Sequence, residues 1–131
     1  MNEVYVQIAA SIGAALLAAI AIFQILLLAG APLGEYSWGG KHTGVLPPPQ
    51  RWMSLPAAII LCLMGFVLLI HTNVLSVDAF TSTRGFVWGI TIFLGLNTLG
   101  NAASKSRKEK VVMTPVSGLC FLMSLTVLIF G

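Results

Sequence analysis

One interval constrains what this chain can fold into. Residues 30–54 read GAPLGEYSWGGKHTGVLPPPQRWMS and hold five of the thirteen glycines and four of the six prolines. Long apolar segments lie on either side of it. Proline removes a backbone donor, and glycine gives up helical order at little cost. The interval therefore cannot cross a bilayer as a helix. It divides the chain into pieces of membrane-spanning length.

Composition decides the solvent. Of 131 residues, 57% are hydrophobic and only 8% are charged, against about 25% charged in a soluble domain. So apolar a chain cannot cover its own surface with polar groups. The expected fold is all-α, an integral membrane four-helix bundle forming one domain over residues 1–131. Its spans are expected at about 6–29, 53–72, 85–103 and 111–130, each near the 20 residues that cross a bilayer. The start carries Glu3 and no Lys or Arg. That argues for a retained first span rather than a secretory signal, whose leading region is basic. Residues 30–52 are expected to form an ordered loop at the membrane surface, with Tyr36, Trp38 and Trp52 as interfacial rings. Pro47-Pro48-Pro49 favours an extended run. Ser54 is a candidate N-cap and Pro56 a first-turn proline for the second helix. Residues 73–84 read as a polar loop and Lys105–Lys110 as a basic hinge.

Charge sets the threading. Four spans put the loops around residues 30–52 and 104–110 on one side, with Lys41, Arg51, Lys105, Arg107, Lys108 and Lys110. The other side carries Arg84 alone. Short loops rich in Lys and Arg stay cytoplasmic, so both termini are expected outside a cell (inner) membrane and the Gly/Pro loop inside. His42 and His71 then lie on opposite sides, which excludes a shared metal site. No basic patch interleaves with exposed aromatics, so nucleic acid is not an expected partner. The bilayer is, and Lys105, Arg107, Lys108 and Lys110 are expected to attract anionic headgroups at about 1 kcal/mol per basic residue.

The spans lack Asp, Glu, Lys and Arg, which argues against a proton-coupled carrier. Their amides and hydroxyls are uneven. Gln24, Asn97, Asn101, Thr114 and Ser117 all fall in the half nearest the Gly/Pro loop, with Asn97 and Asn101 one turn apart on one face. Beneath them come Glu35, Trp38, His42 and Arg51. These residues make a candidate ligand site: a polar pocket opening inward, capped by the loop. Interhelical hydrogen bonding, at around 0.6 kcal/mol per contact, explains the same amides without a ligand. Glu35 and His42 would be the acid/base pair of an enzyme acting on a lipid-borne substrate, yet no nucleophile or metal motif accompanies them. A passive channel or small transporter subunit is the other alternative. No catalytic residue, metal or cofactor is assigned. Cys62 and Cys120 sit in apolar runs at matching depth, and whether they meet is open. Gly85 and Gly89 in GxxxG spacing, with the stripe Ala10, Ala14 and Ala18, make a homodimer plausible.

The loop also carries a resemblance. Gly30, Pro32 and Gly34, then Trp38-Gly39-Gly40, Gly44-x-Leu46-Pro47, Arg51 and Ser54 resemble a pattern found in a family of small bacterial integral membrane proteins. Asn97, Ser104, Ser106, Glu109 and Pro115 resemble that family's junction between third and fourth helices. The likeness covers about a third of the chain. It implies a four-helix inner-membrane protein and assigns no residue a catalytic role.

Overall fold

The computed structural model describes residues 2–75 and 83–131. It contains α1 (Asn2–Leu28), α2 (Pro48–His71), α3 (Arg84–Ala102) and α4 (Arg107–Phe130), with two 3₁₀ turns, Gly34–Tyr36 and Trp38–Gly40, between α1 and α2. The described residues include no strand. The chain is an all-α four-helix bundle. The polar loop expected over residues 73–84 lies largely outside the described residues.

Two helix starts differ from the sequence expectation. The second helix begins at Pro48, not near Met53, with Pro47 as its N-cap. The first helical amides have no intrahelical acceptor, so two prolines there lose nothing and bring a preset φ. The triproline therefore opens the helix, and only Pro47 is extended. Ser54 is buried inside α2 and caps nothing. The fourth helix begins at Arg107, so most of the basic hinge is its first turn. Ser106 is the N-cap, and its hydroxyl accepts from the Glu109 amide at 3.4 Å. Ser106-Arg107-Lys108-Glu109 is the S-x-x-E spacing of a capping box.

The end of α1 is closed twice. Gly30 adopts φ 97°. The Ala31 amide donates to the Leu26 carbonyl and the Gly30 amide to that of Leu27, the crossed pair of a Schellman motif. Arg51 then reaches back from α2, and its Nε and Nη2 donate to the Leu28 carbonyl at 3.3 and 3.1 Å.

The helices pack as two hairpins. Helix α1 runs along α2 and along α4, α3 runs along α4, and α2 and α3 scarcely meet. Small residues bring α1 and α2 close: a Cβ at Gly65 would lie 3.6 Å from the Ala14 Cα. Leu17, Leu68, Val87, Leu94 and Val127 are fully or almost fully buried. Ile22, Leu63, Phe66, Trp88, Leu96 and Ile129 point outward and are exposed, while Thr91, Ser117 and Ser124 are buried. Apolar outside with hydroxyls inside is the arrangement that a hydrocarbon solvent favours. By length and composition α1, α2 and α4 can each cross a membrane. Helix α3, 19 residues with Asn97 and Asn101 in its last two turns, is not among these three.

Candidate functional site

The loop between α1 and α2 folds back on itself before it meets the bundle. The Gly34 amide donates to the Gly44 carbonyl at 2.8 Å. A Cβ at Gly34 would lie 2.7 Å from that oxygen and 3.2 Å from the His42 carbonyl, so the closure admits only glycine. Leu46, 2% exposed, anchors the returning strand of the loop. This is a compact loop whose ends are close and whose own side chains pack it.

The Trp38-Gly39-Gly40 motif fastens the loop to the junction of α3 and α4. All three residues have positive φ: 58°, 66° and 79°. For a bulky residue such as Trp38 this is a strained conformation. The Gly39 carbonyl accepts from the Lys105 amide at 3.2 Å. A Cβ at Gly40 would lie 2.6 Å from the Ser106 Cβ, so the backbones touch there. Beside this contact Lys108 Nζ lies 2.7 Å from Glu35 Oε2 and 5.9 Å from the centre of the Tyr36 ring. An exposed ion pair contributes about 0–1 kcal/mol. The buried Leu46 and the glycine contacts hold the loop more firmly than that pair does. The first loop and the α3–α4 junction thus form one contact surface.

Under this attachment lies a cavity of about 310 Å³. The loop contributes its roof through Tyr36, Ser37, Trp38 and Gly39. Its walls include Gln24 from α1, Asn97 and Asn101 from α3, and Glu109 and Ser117 from α4. Asn101 Nδ2 donates to Ser117 Oγ at 2.8 Å and, more weakly, to the Met113 carbonyl at 3.5 Å. Asn97 Nδ2 donates to the same Ser117 hydroxyl at 3.2 Å. Both amides therefore tie α3 to α4 as interhelical bonds and also line an open space.

Of the residues singled out in the sequence, Gln24, Trp38, Asn97 and Asn101 come together at this cavity. Three do not line it. Glu35 faces Lys108 on the surface. Arg51 caps α1 and lines a separate shallow pocket with Leu28, Pro48 and Trp52. His42 lies in the loop, with its carbonyl against Gly34. Arg107 and Lys110 are exposed, as are the side chains of Lys105 and Lys108. Glu109 also lines the cavity and is not among the site residues expected from the sequence. It is 4% exposed, although it sits in a run of cations that reads as a solvated stretch. The S-x-x-E spacing was the available signal, because it places Glu109 in the first helical turn instead of a hinge.

Other candidate features remain apart. Cys62 is exposed and Cys120 buried, and both are free thiols. Among the described residues no three of His, Cys, Asp and Glu gather as a metal-binding set. Ala10 is buried and Ala14 meets Gly65, so part of the alanine stripe serves the α1–α2 contact. Gly85 and Gly89 face open space. Compared with known protein families, curated proteins and solved structures, the chain gives no match.

Proposed function

We propose that the chain is a four-span inner-membrane protein whose loop-capped cavity binds a small polar ligand or a lipid headgroup from the cytoplasmic side. The observation that carries this reading is the convergence of amide, hydroxyl and carboxylate groups from three helices on one space under a strained, glycine-pinned loop. Packing alone does not call for that space. At about 310 Å³ it falls at the small end of ligand pockets, which run from roughly 300 to 1,000 Å³. Helix α3 supports a fourth crossing: the pairs Thr91–Ser124, Asn97–Ser117 and Asn101–Met113 run it antiparallel to α4, and the α3–α4 junction meets the loop at Lys105 and Gly39. The Lys and Arg bias supports a cytoplasmic position for that level.

A channel through a single chain is the weaker reading. Towards the opposite end the core is filled largely by Leu17, Leu68, Val87, Leu94 and Val127, and the buried hydroxyls there, Thr91 and Ser124, bond to each other at 2.7 Å. The enzyme reading loses its proposed pair, since Glu35 and His42 do not line the cavity.

The test uses Gly100, which lines the cavity and where an added Cβ meets nothing within 4 Å. Gly100→Leu adds a large side chain at the rim of the cavity without an atomic overlap at its Cβ. Purified wild type and Gly100→Leu are screened by thermal unfolding against a panel of polar metabolites and lipid headgroups. The expected result is a ligand-dependent rise in Tm for the wild type that is lost in Gly100→Leu, with the ligand-free Tm kept. Equal shifts in both proteins, or none in either, would overturn the reading.

A further inference from the structure

We infer that the cavity takes a primary ammonium group, free or as part of a lipid headgroup; this rests on the reading of the cavity as a ligand site. Glu109 is the only acidic or basic side chain that lines it. Its side chain is 4% exposed, and among the described residues its carboxylate has neither a hydrogen bond nor an ion pair. The ion pair found there belongs to Lys108 and Glu35. The carboxylate oxygens are not among the fully enclosed atoms without a partner, so they look onto the cavity, and a carboxylate so largely withdrawn from solvent gains from a cation that enters there.

The remaining polar groups point to the same chemistry. The amide nitrogens of Asn97 and Asn101 are engaged by Ser117 and the Met113 carbonyl, which leaves their carbonyl oxygens as acceptors. The cavity thus offers these acceptors and a negative charge, beside the Gln24 amide and the Tyr36 and Ser37 hydroxyls, which can turn an acceptor oxygen to a donor ligand. An –NH₃⁺ group has three donors and no acceptor. Trp38 adds an aromatic wall, which attracts a cation further when the ring face is presented. An anion finds no cationic side chain in the lining, and a neutral ligand leaves the carboxylate unpaired. Lys105, Arg107 and Lys110 are exposed in solvent, where charge is screened beyond about 8 Å at physiological salt. Lys108 is already matched by Glu35.

The experiment compares ethanolamine with ethylene glycol, glycolate, and sodium or potassium chloride at equal ionic strength, read as Tm of the full-length purified chain. A parallel arm places the protein in bilayer discs containing phosphatidylethanolamine or phosphatidylglycerol. Ethanolamine or phosphatidylethanolamine is expected to raise Tm while the neutral, anionic and inorganic probes do not. Response to the soluble amine identifies a free ligand, and response to the lipid alone identifies a headgroup. Glu109→Gln is expected to weaken the effect by about ten-fold or more, as loss of a charged hydrogen bond does. The comparison of probes on the wild type stands even if that variant folds poorly. A Gly100→Leu-sensitive shift with glycol, glycolate or the salts, equal to that with ethanolamine, overturns the ammonium assignment and leaves the site. No sensitive shift with any probe or with the wider panel overturns both.

Discussion

At the scale of single residues, two adjacent glycines separate backbone strain from packing. Gly39 and Gly40 both have positive φ, yet a Cβ at Gly39 meets nothing within 4 Å while one at Gly40 meets Ser106 at 2.6 Å. A left-handed conformation costs an L-residue roughly 1–2 kcal/mol. Gly39→Ala is therefore expected to lose about that much stability. Gly40→Ala must lose more, because the loop has to lift from the start of α4. Thermal unfolding of the two variants side by side measures the difference, and equal losses would mean that the loop does not rest on Ser106. Such a contact is hidden in the sequence. The letters Trp38-Gly39-Gly40 announce a positive-φ turn, but not which distant backbone the turn must clear. Glu109 was missed for a related reason. A glutamate among lysines reads as solvent-facing, and only the capping geometry turns it inward.

At the scale of elements, helix existence was legible because apolar length leaves a membrane segment few alternatives. Helix starts were less so. The three prolines read as extended, since nothing in the local sequence tells a proline before a helix from one in its first turn. Pairing of helices was not legible either. The alanine stripe of α1 fits a second chain or a neighbouring helix equally well, and the structure gives Ala14 to Gly65 of α2. That contact carries a graded prediction. Gly65→Ala puts a Cβ at ordinary contact distance, 3.6 Å from Ala14. It is expected to be neutral or to stabilise by about 0.5–1 kcal/mol through lower chain entropy in the helix. Gly65→Ile overpacks the seam and is expected to cost about 1–3 kcal/mol. Unfolding in detergent with a chemical denaturant reads both. Tolerance of Ile would show that α1 and α2 are not in close contact.

At the scale of the whole molecule, amides placed by depth along separate helices do meet. Gln24, Asn97 and Asn101 were grouped by counting residues from one membrane face, and they line one cavity. His42 and Arg51 were grouped with them only because they share the loop. A loop's fold is not a function of depth, so the sequence could not say that Arg51 turns back to cap α1. The first loop and the start of α4 are one structural unit. The loop roofs the cavity, the helix start supplies its carboxylate, and the glycine contacts join the two. In the proposed orientation this unit faces the cytoplasm on a bundle that crosses the membrane four times. That orientation is tested by single cysteines at Thr43, Val74 and Ala103, all exposed positions, in a Cys62→Ala background with the buried Cys120 left in place. Cells are treated with an impermeant maleimide before and after permeabilisation. Labelling of Val74→Cys alone in intact cells, with Thr43→Cys and Ala103→Cys reacting only after permeabilisation, is the predicted result. Labelling of Thr43→Cys in intact cells would place the roofed cavity outside, and labelling of Ala103→Cys with Val74→Cys would mean that α3 does not cross.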